Sequence, residues 1–372
     1  MRPAAHEIRV ARAVRRALSI AIVLALALAA PAAAKTWSGQ SLPPGLGVLG
    51  GISCAKHKKV QHCVASGQDT SHQLGAIVTS DNGGKQWASQ AVPAGIGGLF
   101  DVSCTSTSHC VAAGETVQAA GYHAAALTSS DGGKQWQVAQ VPGGLPSLGW
   151  IACRSKRCTA GAAAMGNRLL LSSDSGATWT LKTLPLHNNC TGFCPGLIVD
   201  NGTFGSGSVA YAVGGAQCGG AGVTQCPAAI WKSTDGGDSW KLAFEGNPFV
   251  DTITCVDSKH CWAGAANFQT GVILKTTNGG KSWHPQKLPQ FSGFFNSIAC
   301  VKSKKHVRCF AVGQDPGRSA PVIAATSDGG KHWKLDGAPA GTGALFGVDM
   351  VGRGGRAVGQ DPSGSSARAI SR

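Results

Sequence analysis

Three features of the sequence predict an all-β fold. An eight-residue box of the form Ser/Thr-x-Asp/Asn-x-Gly-x-x-Trp occurs six times. A strand–loop–strand pattern precedes each box. A seventh repeat lacks its last strand, and the segment from Lys35 to Pro43 resembles the missing piece. Repeats of 40–60 residues with four antiparallel strands each make a β-propeller, and the count makes it seven-bladed. Gly 53 in 372 residues is about twice the usual share, as many tight turns between short strands require.

In chain order, an export segment comes first. Arg2, Arg9, Arg12, Arg15 and Arg16 form a positive stretch, Ala17 to Ala30 an apolar run, and Pro31 to Ala34 a small-residue end. This reads as a signal peptide over 1–34, cleaved after Ala34. The apolar run falls short of the roughly 20 residues that a membrane span needs. No second such run follows, so no membrane span is expected. The mature domain is then 35–372, secreted, periplasmic or associated with the cell wall. Losing five arginines and Glu7 takes the net charge from +15 to +11.

The boxes are Ser80–Trp87, Ser129–Trp136, Ser172–Trp179, Ser233–Trp240, Thr276–Trp283 and Thr326–Trp333. The Asp or Asn bonds backbone N–H groups in a turn. The Gly takes a positive φ. The Trp opens the next strand and buries a large ring. Before each box, an apolar residue leads a strand A, and strand B ends in Ala/Val-x-Gly, as in Ile52 to Gly67 and Val102 to Gly114. Strand C then runs into the box, and strand D leaves it. After Trp333 only strands A, B and C remain, around Phe346–Met350, Arg356–Asp361 and Ala367–Ser371. Lys35 to Pro43 would supply strand D and close the ring without open edges.

The boxes resemble the Asp-box, or bacterial neuraminidase (BNR) repeat. The run from Cys261 to Trp283 looks like the photosystem II assembly and stability factor family, with its "WAVG" strand, "G-x-I-L-K-T" strand and "T-D-G-G-K-x-W" box. The resemblance covers nearly all of 35–372. It implies a propeller, not a photosystem, because fold does not carry function. Asp-box propellers also include sialidases, xyloglucan-active glucanases and sortilin-type receptors. In all of them the box is implied to be structural.

The cysteines fall into local pairs: Cys54/Cys63, Cys104/Cys110, Cys153/Cys158, Cys190/Cys194, Cys218/Cys226, Cys255/Cys261 and Cys300/Cys309. An exported chain makes disulfides the expected state. Five pairs would join the end of strand A to the start of strand B. Cross-pairing between the two pairs of blade four stays open. His62, His109 and His260 precede a cysteine, but one Cys pair per blade keeps zinc ligands apart. No metal and no cofactor is expected.

Catalysis has thin support. Sialidases need an arginine triad and a nucleophilic Tyr paired with Glu. This chain has only Tyr122 and Tyr211, and its mature part only Glu115 and Glu245. A glycosidase needs two carboxylates roughly 5–9.5 Å apart. Asp101, Asp251 and Asp349, at the start of strand A near the axis, are the only candidates. The competing reading is that they cap turns. Asp69, Asp315 and Asp361 recur at one repeat position, which marks a structural turn.

Charge points elsewhere. The A–B loops and the boxes, on one face of the disc, hold seventeen basic residues against seven acids. Candidate partner-binding residues are Lys56, Lys58, Lys59, Arg154, Lys156, Arg157, Lys302, Lys304, Lys305 and Arg308. Such a field attracts anionic partners, here an anionic protein surface, wall polymer or polysaccharide. Nucleic acid is not expected: export removes it, and no aromatics interleave with the basic residues. The expected role is a non-enzymatic, monomeric scaffold or binding module. The alternative is a polysaccharide-active hydrolase or lyase.

Overall fold

The computed structural model describes residues 36–372 except 58–59, 119–120, 163–165, 186–196, 217–227, 247–248, 268–269, 305, 316 and 318–319. The expected export segment, Lys58, Lys59, Lys305, Cys190, Cys194, Cys218 and Cys226 lie outside the described residues.

Trp37–Arg372 is a single unit of seven four-stranded antiparallel sheets. Blade 1 runs Leu46–His57, Val60–Asp69, Gly75–Ser80 and Ala88–Gln90, in that order across the sheet. The first strand of every blade packs against the first strands of both neighbouring blades, and the ring of contacts closes between blades 7 and 1. Blade 7 is Leu345–Val351, Gly354–Gln360 and Ala367–Ser371, completed by Ser38–Gln40 with Ser38 facing Ser371 and Gln40 facing Ala369. The chain therefore closes its ring with its own N-terminal strand, as the repeat count predicts. Among the described residues, no helix is long and apolar enough to cross a membrane.

The core is seven apolar layers, each between two consecutive blades. Val64 and Ile77 of blade 1 pack on Leu99, Val102 and Leu127 of blade 2, with the box tryptophan Trp136 in the same layer. Trp37 takes the place of a box tryptophan in the last layer, against Phe310 and Val312 of blade 6. Its ring meets Phe310 edge-on, with centroids 5.1 Å apart.

Each box satisfies its own polar groups. In blade 2, Ser129 Oγ donates to Asp131 Oδ1 at 2.9 Å and accepts the Gly133 N–H at 2.7 Å. Asp131 Oδ1 also accepts the N–H groups of Lys134 and Gln135, each at 3.0 Å. The Trp136 indole N–H returns to the Gly133 carbonyl at 2.8 Å. The charge of the box is thus spent locally: hydrogen bonds from the Ser239 hydroxyl and N–H, then from Ser233, hold Asp235 below the usual carboxylate range.

Five disulfides join facing residues of strands A and B: Cys54–Cys63, Cys104–Cys110, Cys153–Cys158, Cys255–Cys261 and Cys300–Cys309. Among the described residues no cysteine is free. Each second cysteine faces the Ser or Thr that opens its box, as Cys63 faces Ser80 and Cys110 faces Ser129. One row across each of these blades thus carries both staples, with the A–B loop and the box beyond it on the same edge. Disulfides in this number place the protein in an oxidising compartment.

Candidate functional site

Strand A carries a β-bulge at the same place in every blade. The bulged residues are Gly50, Phe100, Gly149, Asp200, Asp251, Asn296 and Phe346, each falling where the register with strand B slips by one. A bulge leaves one residue unpaired and bends the strand. Here it also explains the glycine that ends strand B. A Cβ on Gly67, Gly114, Gly214, Gly313 or Gly359 would fall on the strand A carbonyl pushed across by the bulge.

All seven bulged residues line one cavity of about 380 Å³ on the axis. Asp101, Trp150, Asn201, Ser297 and Gln68 also reach it. The lining is lopsided. Blades 4, 5 and 6 contribute Asp200, Asp251 and Asn296, while blades 7, 1 and 2 contribute Phe346, Gly50 and Phe100. Among the described residues, no lysine, arginine or histidine lines it.

The three aspartates expected from the sequence occupy three different positions. Asp251 sits on the bulge and faces the cavity. Asp101 follows the bulge of blade 2; its Oδ2 accepts the Ile151 N–H of blade 3 at 3.0 Å and its Oδ1 the Val102 N–H at 2.8 Å. Asp349 lies three residues beyond the bulge of blade 7. Its Oδ2 accepts the Cys54 N–H of blade 1 at 2.7 Å, and its Oδ1 the Met350 N–H at 2.7 Å. Ser53 and Ser103 do the same one blade further on, accepting the N–H groups of Cys104 and Cys153 at 2.9 Å. Asp101 and Asp349 are therefore acceptors that hold one inner strand to the next, and Asp349 does so across the ring closure.

The residue that sequence reasoning missed is Asp200, which shares the bulge position with Asp251. The signal was present in Val199-Asp200 beside Val250-Asp251, but the cysteine-rich insertions of blade 4 obscured the alignment of the repeats. Burial, then the charge of Asp251, pushes Asp200 up to about 8. Burial alone pushes Asp251 up to about 7. Asp200 Oδ2 is buried and accepts no hydrogen bond among the described residues. Trp150 positions this bulge from blade 3, its indole N–H donating to the Val199 carbonyl at 2.8 Å. Asn296 donates its amide to Leu345 at 2.9 Å, which orients it between blades 6 and 7.

The basic residues divide into two groups. One group joins blades. Arg157 of blade 3 donates to the Gly236 carbonyl in the box of blade 4 at 3.1 Å and pairs with Asp238 at 2.8 Å. Arg308 donates to the Arg353 carbonyl at 3.2 Å. Lys302 of blade 6 meets Asp257 of blade 5 at 2.8 Å. Arg356 of blade 7 is buried, its Nε donating to the Gly83 carbonyl of blade 1. His62 does similar work, buried between Asp81 of its own box at 2.6 Å and the Gly132 carbonyl of the next at 2.8 Å. The other group is exposed and makes no ion pair among the described residues; of the candidate partner-binding residues it includes Lys56, Arg154, Lys156 and Lys304. All four lie in or beside A–B loops, on the edge of the disc away from the bulges. No cluster of three or more metal-ligating side chains occurs among the described residues.

Fold and site together define a seven-bladed β-propeller with an axial pocket. No family model matches the chain, and no curated protein matches it. Solved structures do. "YCF48 bound to D1 peptide" superposes with a TM-score of 0.58 at 14% identity, covering 91% of this chain and 97% of that one. YCF48 from Cyanidioschyzon merolae gives 0.57 at 16% identity, covering 91% and 98%. The GH74 xyloglucanase from Xanthomonas campestris gives 0.56 at 14% identity, covering 90% of this chain and 53% of that one. At these identities the likeness is one of fold.

Proposed function

We propose that the protein is an exported binding scaffold whose hairpin face docks an anionic partner, either a protein surface or an acidic polymer. The observation that carries this reading is the exposed set Lys56, Arg154, Lys156 and Lys304, drawn from A–B loops of three blades and left without ion pairs among the described residues. Charges of one sign on one face raise the encounter rate with an oppositely charged surface. The box aspartates stay ionised, and their oxygens are occupied by N–H groups of their own turns rather than by ion pairs with these four residues. One propeller of the same architecture, YCF48, has been solved bound to D1 peptide, which supports a protein partner. Residues 1–34 serve as the export signal in this reading, and the disulfides support it. N-terminal sequencing of the exported protein should begin at Lys35.

The test is retention on an anionic matrix and on cell envelopes against rising salt. Surface charges are screened beyond about 8 Å at physiological ionic strength, so retention should fall steeply. Neutralising Lys56, Arg154, Lys156 and Lys304 should reduce it sharply with little change in melting, because exposed charges contribute little to folding. A control neutralising Lys182, Lys241, Lys287 and Lys334 removes the same charge elsewhere. Equal losses in both variants would leave net charge as the whole explanation and sink the face-specific reading.

A second reading has one observation in its favour. Asp200 and Asp251 bring two carboxyls to a cavity that also holds aromatic rings, an arrangement that a glycan-cleaving enzyme could use. Release of reducing sugar from a β-glucan, lost in Asp251→Asn, would establish it.

A further inference from the structure

We infer that the axial cavity is a binding site for a primary alkylammonium group, such as a lysine side chain or a diamine, held by Asp200 and Asp251 with its stem against Phe100 and Phe346. The site is separate from the basic loops. The bulges lie toward the beginning of strand A, and the A–B loops at its other end. It therefore stands or falls independently of the anionic-partner reading.

The seven-fold architecture makes the case. Seven identical blades would give a symmetric channel, yet the bulge residues here are sorted by chemistry. Three consecutive blades present Asp, Asp and Asn, and the blades facing them present Phe, Gly and Phe. A ligand that satisfies both walls has a cationic, hydrogen-bonding end and an apolar body. The glycine between the two phenylalanines leaves room for that body, because the ring carries no side chain at Gly50. The cavity of about 380 Å³ falls in the range of small-ligand pockets.

The polar wall is short of donors. Asp200 Oδ2 is buried and has no hydrogen-bond partner among the described residues. Trp150, its neighbour on the blade 3 side, has its only N–H committed to Val199. Asn296, on the other flank of Asp251, gives one of its two amide N–H groups to the Leu345 carbonyl, which leaves the wall one neutral donor at most from that side chain. A buried acceptor without a donor is costly, and a second carboxyl next to it adds repulsion. An ammonium brings three donors and a positive charge on a compact head. It supplies what both carboxyls lack. An uncharged sugar hydroxyl would supply a donor but leave the repulsion. An anion would add to it. The titratable groups facing the site are Asp101, Asp200 and Asp251, with Asp349 acting on Asp101 from blade 7. None is basic, so among the described residues no cation competes for the place. A phenylalanine face adds a favourable cation–π contact if the head approaches either ring.

The experiment is a calorimetric titration of the full, oxidised protein at pH 8.5, where both carboxyls are ionised. The probes are cadaverine and Nα-acetyl-lysine amide, with Nα,Nε-diacetyl-lysine amide as the uncharged control. Both amines should bind saturably, and the diacetyl control should bind at least tenfold more weakly. Tighter binding of the lysine amide assigns the site to a partner's side chain, and tighter binding of cadaverine to a free diamine. Asp251→Asn and Asp200→Asn should each weaken the amines at least tenfold. Each replaces a buried carboxyl by an isosteric amide, and circular dichroism will show that the fold is kept. Phe346→Ala should weaken cadaverine severalfold without touching the carboxyls. Should an Asn variant fail to fold, the wild-type comparison of amine with diacetyl control decides alone. The inference is overturned if neither amine binds saturably, if the diacetyl control binds as well as the amine, or if the folded Asn variants bind unchanged. It is equally overturned if calcium or a neutral xyloglucan oligosaccharide occupies the site and excludes cadaverine.

Discussion

Four carboxyls near the axis work against the fold when they ionise. Burial pushes Asp101 up to about 7 and Asp349 up to about 6, alongside Asp200 at about 8 and Asp251 at about 7. For a carboxyl raised in the folded state, stability is full below the unfolded value of about 4 and is lost as pH rises through the folded value. The box aspartates run the other way. Hydrogen bonds from Ser239 and Ser233 lower Asp235, so its contribution is present above about pH 4 and lost as pH falls further. The melting temperature should therefore peak between about pH 4 and 6 and decline toward pH 8. Asp200→Asn should flatten the alkaline decline and raise melting at pH 8; an unchanged profile would show that Asp200 is not buried as described. At Asp349 the expected effect is opposite in sign. Asp349→Ala strips the Cys54 N–H of its acceptor at the ring closure and should cost roughly 1–3 kcal/mol. Asp349→Asn keeps an acceptor and should recover most of it in urea melts.

The element that recurs is a strand pair fastened twice at one edge. The disulfide closes the A–B hairpin, and the box closes C–D, with Cys110 facing Ser129 across the row between them. Closing a loop this short contributes on the order of 2–3 kcal/mol in the chain-entropy model. The paired substitution Cys104→Ser with Cys110→Ser should lower stability by about that much and leave the other four described disulfides intact in unreduced peptide maps. Ser129→Ala removes the acceptor of the buried Gly133 N–H and should cost about 1–2 kcal/mol. The two losses should be more than additive if the row acts as one unit, which a double-variant cycle measures. The bulge in strand A is an equally regular element. It costs a ladder bond and a side chain at the facing glycine, and in return brings seven residues, five of them with side chains, to the axis.

Across the whole molecule, stability depends on closing the circle. Trp37 fills the last apolar layer, Ser38–Gln40 covers the open edge of Ala367–Ser371, and Asp336 of blade 6 accepts the Trp37 indole N–H at 3.4 Å while pairing with Arg372. Arg356 and Asp349 then tie blade 7 to blade 1. Removing residues 35–43 should expose an unpaired strand edge and lower the melting temperature by more than 10 °C or cause aggregation. A truncated protein that melts as wild type does would contradict the closure. Trp37→Ala separates the two contributions, because it empties the layer and keeps the strand; a loss of about 3–5 kcal/mol is expected for a buried tryptophan.

The blade count, the closure by the N-terminal strand, the five described disulfides and the place of Asp251 near the axis are legible in the residues alone, because each is written in local residues repeated at a fixed period. Box chemistry is satisfied within eight residues, and a disulfide within a short hairpin, so neither needs distant context. Which repeated positions meet depends instead on contacts between blades. Asp101, Asp251 and Asp349 stand alike near the start of strand A in sequence, but a one-residue bulge turns every later side chain to the other side of the strand. Asp251 thus sits at the cavity with its carboxyl free of backbone bonds, while Asp101, at the cavity's edge, and Asp349 bond the next blade. Arg157 reads as surface charge in a loop, yet the neighbouring blade's box carbonyl captures it. Asp200 became visible once the bulges aligned the blades, and its pairing with Asp251 exists because blades 4 and 5 lie side by side around an axis that no single repeat contains.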